Sequence, residues 1–261
     1  MINSPVSYWQ AKDELGRIAT DPDIIFRGQE DVAWDLQPSL LREGKLQQIR
    51  DPLERKRFVE ALLMQFHQIC TEFGFPTEEC NPGSNIPLLC IAQHYGLPTS
   101  LLDWSRSPYI ALWFAFGGWG YTRIPQGRDV VVWCLNWRLF RQGAIQLQRD
   151  ESMTENADDD HVWRAYQHRM DRVLRIDRVE GLNKRRVAQK GVFTDLGIMI
   201  TDLKEYIGQR VFPPETLTQV VIRGRDQATA LADLAASNID ATYMRRDADG
   251  AALDVWTKYL R

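Results

Sequence analysis

The stretch from residue 93 to residue 116 constrains the fold of this chain more than any other segment. A helix that ends at Gly96 is followed by an apolar extended run over residues 99–104, and Ser107-Pro108 then opens a second helix. Glycine suits the left-handed residue that follows a helix, and proline is tolerated at the first helical position. The segment therefore predicts a helix–strand–helix unit with polar side chains at its junctions.

A second short strand, residues 23–29, is interpreted together with this unit. Its apolar residues are followed abruptly by Arg27-Gly28. An arginine at the end of an apolar strand needs an anion, because a buried unpaired charge is costly. A guanidinium offers bidentate recognition of phosphate, and a neighbouring glycine lets a ligand approach the backbone. The alternative is a structural ion pair between Arg27 and an acidic residue.

Composition favours a folded protein without a global basic field. The chain has 261 residues, 44% hydrophobic residues, nine tryptophans and a formal charge of −3. One α+β domain spanning residues 1–261 is the economical prediction, and a dedicated duplex-DNA binder is disfavoured. The four cysteines lack metal-ligand spacing, which argues against zinc and for reduced thiols. Neither a signal peptide nor a membrane span is evident, so we expect a cytoplasmic protein.

The remaining pattern predicts helices and strands around a mixed sheet. Ser4-Pro5 is expected to open a first helix, and residues 51–73 show one apolar stripe at helical spacing. The continuous apolar run at residues 129–136 predicts a buried strand. A further strand is expected at residues 185–194. The C-terminal part, residues 217–260, is predicted to be a strand–helix–strand–helix unit, with its second strand at residues 241–244.

Three polar positions in the central stretch are candidates for chemistry. In an extended strand Asp103 and Ser105 share one face, with Trp104 on the other. The structural alternative makes Asp103 a turn former and Ser105 a cap for the following helix. His94, in the last turn of its helix, is interpreted as a C-terminal cap more readily than as a base. The sequence contains no nucleophile elbow, phosphate-cradling glycine loop or metal cluster.

Four motifs between residues 23 and 194 together resemble the FRG domain family, a bacterial and phage-associated group named for an F/Y-R-G sequence. The motifs are Phe26-Arg27-Gly28-Gln29; Gln93-His94-Tyr95-Gly96-Leu97-Pro98-Thr99; Leu102-Asp103-Trp104-Ser105 followed by Ser107-Pro108, Ala111 and Phe114-Ala115; and Gln189, Gly191 and Phe193-Thr194. The resemblance implies a fold group more readily than a reaction.

A more distant resemblance is to ADP-ribosyltransferases of the arginine–serine–glutamate class. It implies an ADP-ribosyltransferase-like mixed β-sheet core with flanking helices, and NAD as a substrate whose phosphate is held by Arg27. The triplet at residues 103–105 stands where the family has Ser-Thr-Ser. Gln189 stands where it has a catalytic glutamate, and a carboxylate there would stabilise positive charge better than an amide. Glu180 is the nearest alternative acid.

This resemblance implies an NAD-dependent ADP-ribosyltransferase that acts as a toxin or phage-defence effector. Its acceptor would be a protein or nucleic acid, and an antitoxin or regulator protein would be a further partner. The expected catalytic residues are Gln189, Ser105, Asp103 and His94, and the expected NAD-binding residues are Arg27, Gly28, Tyr95, Thr99 and Trp104.

Two other readings stay open. The same pocket could belong to a non-catalytic module that binds a nucleotide-like ligand and signals to a partner. A hydrolase using His94 and Asp103 as an acid–base pair is the third reading.

Overall fold

A seven-stranded mixed sheet with flanking helices forms the centre of the protein. The computed structural model describes residues 2–42, 44–74, 85–120, 124–125, 128–152, 157–177, 189–208, 211–245 and 248–260. The sheet order is β1-β7-β4-β2-β3-β6-β5. The predicted sheet core with flanking helices is confirmed.

Each strand is short, and most pair antiparallel with their neighbours; β1 and β7 pair in parallel. The strands are β1 (Ile2–Val6), β2 (Ile24–Gln29), β3 (Leu101–Ser105), β4 (Val130–Asn136), β5 (Leu174–Ile176), β6 (Gly191–Asp195) and β7 (Leu217–Ile222).

The helices of the described residues surround this sheet. They are α1 (Tyr8–Ile18), α2 (Ser39–Arg42), α3 (Gly44–Gln48), α4 (Pro52–Glu72), α5 (Asn85–His94), α6 (Pro108–Ala115), α7 (Trp137–Ser152), α8 (Asp159–Gln167), α9 (Leu203–Gly208), α10 (Gln227–Ala236), α11 (Ala241–Arg245) and α12 (Ala248–Leu260), with a 3-10 turn at Gly224–Asp226.

Strand alternation divides the core between the two faces of the sheet. On β2, Phe26 packs in a cluster with residues of α1, α6 and α10, whereas Ile25 packs in the opposite cluster with α7, α8 and α9. A third cluster joins Leu101 and Phe193 to α4 and α5. The central strands are therefore covered on both sides, which explains their continuous apolar sequences.

The sheet is interrupted between β2 and β3. Strand β2 pairs with β4 over six residues, and β3 pairs with β6 over its full length. Between β2 and β3 the described residues form one register pair, Phe26↔Ser105. Beyond it the two strands separate, and the separation leaves room for a cavity at Arg27 and Asp103.

Gly28 is the closest contact between β2 and α6. A Cβ atom at this position would lie 1.9 Å from the Ala111 carbonyl oxygen and 2.5 Å from the Ala115 backbone nitrogen. Glycine is therefore required here for close packing of the strand against the helix. The expectation that Gly28 gives a ligand room to approach the backbone stays a prediction, and the packing against α6 is a second reason for glycine here.

The predicted first helix begins later than expected. Residues 2–6 form β1, which pairs in parallel with β7, and α1 begins after Ser7. Ser7 and Gln10 form a reciprocal capping box, which fixes the start of the helix. The Ser4-Pro5 signal was wrong because an edge strand tolerates proline when a neighbouring strand supplies the pairing.

The prediction of a second strand in the C-terminal unit is also wrong. Residues 241–245 form α11, which packs against α12. Asp254 of α12 accepts hydrogen bonds from the backbone N–H groups of Ala241 and Thr242, and this caps the start of α11. Asp240, directly before the helix, also accepts from the backbone N–H of Tyr243 at 2.8 Å, so a local N-cap and the Asp254 contact together start α11.

Two further observations concern the chain as a whole. No helix within the described ranges is long and apolar enough to cross a membrane. Cys70, Cys90 and Cys134 are buried, and Cys70 and Cys134 are free thiols.

The packing at Gly28 gives a stability prediction. We expect Gly28→Ala to destabilise the protein by about 1–3 kcal/mol or more, because the added methyl group meets backbone atoms that cannot move aside. Gly44→Ala is the control, since a Cβ at Gly44 meets nothing within 4 Å. Denaturant unfolding followed by circular dichroism measures both, and equal stability of the two variants would contradict the packing role.

Candidate functional site

A cavity of about 870 Å³ opens where β2 and β3 separate. We call it the central cavity. It is lined by charged, amide and aromatic side chains from β2, β3, α2, α5 and α6 and from the segments that follow β2 and precede β6: Arg27, Gln29, Glu30, Trp34, Asp35, Arg42, Gln93, His94, Asp103, Trp104, Ser105, Phe114, Trp119 and Gln189. Its volume lies within the range of small-molecule pockets, roughly 300–1,000 Å³.

Arg27 lies in the middle of β2, opposite Trp133 of β4, and not at the end of the strand as predicted. Its Nη1 donates to the carbonyl oxygen of Asp103 at 2.7 Å, across the gap between the strands. Its Nε is buried without a hydrogen-bond partner. No ion pair joins Arg27 to a carboxylate of the described residues, so the structural ion pair considered as an alternative is not formed there.

Burial lowers the pKa of Arg27, the positive charge of Arg42 lowers it further, and the charge of Asp103 acts in the opposite direction. The guanidinium nevertheless stays charged, because arginine does not lose its proton in proteins. Arg42 also lines the central cavity, from the end of α2, and is not ion-paired within the described part of the chain. The two arginines therefore share a cavity that is also lined by Glu30, Asp35 and Asp103, so groups of both charge signs face it.

Asp103 is exposed in the central cavity and held at one oxygen. Gln93 of α5 donates from Nε2 to Asp103 Oδ2 at 2.8 Å. The Gln93 Oε1 accepts from the hydroxyl of Thr99. Thr99 is itself buried and is absent from the cavity lining, so this expected NAD-binding residue contacts Gln93 instead.

Ser105 has its hydroxyl engaged within the protein. It donates to the carbonyl oxygen of Gln189 at 2.8 Å and accepts from the backbone N–H of Ser107 at 3.0 Å. Ser107 is the N-cap residue of α6, but its side chain makes no capping hydrogen bond. The Ser105 hydroxyl instead accepts from the backbone N–H of this N-cap residue. The structural reading of Ser105 as a local cap therefore describes these bonds, although the residue also lines the central cavity.

Gln189 lies in a turn immediately before β6, and not on a strand as predicted. Its Nε2 donates to the carbonyl oxygen of Met244 in α11 at 3.4 Å. Lys190, the next residue, has a positive φ of 48°, which places it in the left-handed region. Residues 185–188 and Glu180, the alternative acid, lie outside the described residues.

The aromatic residues that line the central cavity differ in part from those predicted. Trp104 is buried, and its Nε1 donates to Thr194 Oγ1 at 2.9 Å, so its ring belongs to the core with one side on the cavity. Tyr95 is 61% exposed and lies outside the lining. Trp34, Phe114 and Trp119 line the central cavity in their place. These rings provide the flat apolar surfaces that a nucleotide base would need.

His94 and Gly28 complete the set of expected residues. His94 is the last residue of α5, lines the central cavity, and meets Tyr95 edge to face at 5.0 Å between ring centroids. Gly28 contributes backbone to the cavity wall while its α-carbon packs against α6. Seven of the nine expected residues therefore line one cavity, and Tyr95 and Thr99 do not.

Two amide side chains within the motifs have contacts that the sequence analysis did not assign. Gln29 is buried; its Oε1 accepts from Trp133 Nε1 at 2.6 Å and its Nε2 donates to the Asp35 carbonyl oxygen at 3.1 Å. Gln93 holds Asp103. The sequence offered only the presence of a glutamine in each motif, because Gln29 bonds to Trp133 and Gln93 bonds to Asp103 through tertiary contacts.

Comparison with known proteins identifies the segment that carries the site. Residues 22–118 match the FRG domain. The resemblance inferred from the motifs is thus confirmed over this range, which contains β2, β3 and α6 and both strands of the gap. No curated protein and no solved structure matches the chain. The resemblance to ADP-ribosyltransferases stays a prediction.

The bonds of Ser105 in this FRG segment give a second stability prediction. We expect Ser105→Ala to destabilise the protein by about 1–3 kcal/mol, because the Gln189 carbonyl and the Ser107 N–H lose their partner. Ser237→Ala is the matched control, since Ser237 is exposed and its hydroxyl makes a longer bond of 3.3 Å. Thermal unfolding of both variants measures the effect. An unfolding midpoint of Ser105→Ala equal to that of the wild type would contradict the structural role of the hydroxyl.

Proposed function

We propose that the central cavity binds NAD through its phosphates and that the protein transfers ADP-ribose from NAD to a macromolecule, as a toxin or phage-defence effector. The observation that carries the proposal is Arg27, a cavity-lining guanidinium with a buried Nε that lacks a partner. A desolvated charge without an anion destabilises the free protein. A bound phosphate would supply the missing anion in a bidentate geometry.

Arg42 supports a ligand with more than one negative charge. It faces the same cavity as Arg27 and its charge acts on Arg27. The repulsion between the two guanidinium groups is offset in part by Asp103, and a polyanion beside them would offset it further. The diphosphate of a dinucleotide has the charge that this pair requires.

The aromatic rings support the rest of the ligand. Phe114 and Trp119 lie side by side with centroids 5.9 Å apart, and Trp34 is 48% exposed on the lining. Nicotinamide and adenine are planar groups that pack well on such rings. The cavity therefore combines an anion site with apolar walls, as dinucleotide recognition requires.

Asp103 is the carboxylate that would assist the reaction. In ADP-ribosyl transfer the bond between the nicotinamide nitrogen and ribose carbon 1 breaks, and nicotinamide leaves with the electron pair. Positive charge develops on the ribose, and a fixed carboxylate stabilises it. The acceptor nucleophile then bonds to carbon 1 and releases its proton. Asp103 would thus take part of the role that a glutamate has in the class the sequence resembles.

A non-catalytic nucleotide-binding module is the second candidate. It is favoured by the internal hydrogen bonds of Ser105 and of Gln189, which leave these two residues less able to orient a substrate. In such a module Arg27 would still bind a phosphate. The two candidates therefore share the anion site and differ in whether a bond of the ligand breaks.

Arg27→Lys tests the anion site. Lysine keeps the charge but lacks the planar fork, so NAD affinity should fall by about tenfold or more while the fold persists. Isothermal titration calorimetry with NAD measures the affinity, and thermal unfolding measures the fold. Arg17→Lys is the control, because Arg17 is exposed on α1 and paired with Glu14. Equal NAD affinity of the wild type and Arg27→Lys would contradict phosphate binding at Arg27.

Asp103→Asn separates the transferase from the binding module. With NAD labelled in its ADP-ribose part and a cell lysate as the acceptor source, the wild type should attach label covalently. Asp103→Asn should lose most of this transfer, because an amide cannot stabilise the developing positive charge. Its NAD affinity should fall by about tenfold, because a ligand hydroxyl loses a hydrogen bond to a charged group, so transfer is compared at saturating NAD.

Asp13→Asn, at an exposed position on α1, is the control for this assay. Transfer by Asp103→Asn at the wild-type rate would remove Asp103 from the reaction. Calorimetric NAD binding without covalent label in the wild type would establish the binding module. Failure of the wild type to bind NAD would overturn the transferase and any module whose ligand is NAD.

A further inference from the structure

We infer that Gln93 and Thr99 are positioning residues: they form a directional hydrogen-bond chain that fixes the Asp103 carboxylate in the central cavity. The chain runs from Thr99 Oγ1 through the Gln93 side-chain amide to Asp103 Oδ2. The chain itself is a property of the free protein. Its importance for NAD chemistry rests on the proposed function.

The direction of the chain is set at Thr99. The backbone N–H of Leu101 donates to Thr99 Oγ1 at 3.3 Å, so the oxygen accepts on that side. The hydroxyl hydrogen of Thr99 is then available for Gln93 Oε1. Because Thr99 is 1% exposed, water does not compete for this hydrogen.

The orientation of the Gln93 amide follows from the first bond. With Oε1 facing the Thr99 hydroxyl, the NH₂ group faces Asp103 and donates to Oδ2 at 2.8 Å. A flipped amide would lose the Thr99 bond and place Oε1 against Oδ2, two oxygens that repel each other. One amide orientation is therefore strongly favoured.

The start of the chain is anchored to the segment that carries Arg42. The backbone N–H of Thr99 donates to Ser39 Oγ at 3.1 Å, and its carbonyl oxygen accepts from the Leu40 N–H at 3.1 Å. Ser39 and Leu40 begin α2, which ends at Arg42. Thr99 therefore couples the position of the second cavity arginine to that of Asp103.

The consequence is a preorganised acceptor. An exposed aspartate normally samples several rotamers, and ordering it on binding costs free energy. Gln93 restricts this freedom through its bond to Oδ2, while the carboxylate still lines the central cavity. We therefore expect Asp103 to accept a hydroxyl of the ligand's ribose without rearrangement, and to stay in place as charge develops.

The first test uses the free protein and the NMR signal of the Gln93 side-chain NH₂ group. Thr99→Val removes the hydroxyl while keeping the shape, so this signal should shift or broaden as the amide loses its fixed orientation. Thr99→Ser restores the hydroxyl and should restore the signal. Thr229→Val, at an exposed position on α10, is the control. An unchanged Gln93 signal in Thr99→Val, at unchanged stability, would overturn the chain.

The second test measures NAD affinity by calorimetry in the same variants and in Gln93→Ala. Affinity should fall by roughly tenfold in Gln93→Ala and in Thr99→Val, and Thr99→Ser should recover most of it, as expected for a hydrogen bond to a charged group. Wild-type affinity in Gln93→Ala would overturn the positioning role. If the wild type does not bind NAD, the proposed function fails, and the NMR result still decides whether the chain exists.

Discussion

The break in pairing between β2 and β3 is the constraint on which the site depends. Each strand is fully paired on its other side, β2 with β4 and β3 with β6, whereas one register pair joins β2 to β3. Gly28 adds to this, because its contact with Ala111 and Ala115 fixes the distance between β2 and α6. Backbone groups at the gap that would otherwise be paired in the sheet are exposed to the cavity. The Asp103 carbonyl accepts from Arg27 for this reason.

The charges around the gap are arranged for binding more than for stability. Arg27 is desolvated beside Arg42, and no ion pair within the described ranges compensates it. A free protein that carries this arrangement gives up some stability, which a bound anion returns by mass action. Asp103 lies across the same gap, so a carboxylate and a guanidinium line one cavity. A zwitterionic or polar dinucleotide suits this combination better than a simple apolar ligand.

Local signals in the sequence predicted the elements around the site well. The positive φ of 85° at Gly96, the helix that begins at Pro108 and the buried strand at Val130–Asn136 follow from glycine, proline and apolar patterning. The two errors differ in cause. β1 pairs with β7, which is distant in the sequence. α11 begins after Asp240, a local N-cap that the sequence analysis did not use, and Asp254 adds a contact from further along the chain.

The same distinction holds for the site. The motif residues Arg27, Asp103, Ser105 and Gln189 line one cavity in the structure, as the motifs predicted. They lie on short strands and in a turn. The sequence did not reveal that Ser105 bonds to the Gln189 backbone or that Thr99 acts on Gln93, since hydroxyl and amide partners are set by tertiary contacts. It also could not place Trp34 and Trp119, whose segments lack a regular period.

The most direct measurement of the central claim is a crystal structure of the protein grown with NAD. We expect a phosphate of NAD within hydrogen-bonding distance of the Arg27 guanidinium, in the gap between β2 and β3, with a ribose hydroxyl at Asp103. NAD bound elsewhere on the protein, with Arg27 free of phosphate, would contradict the account.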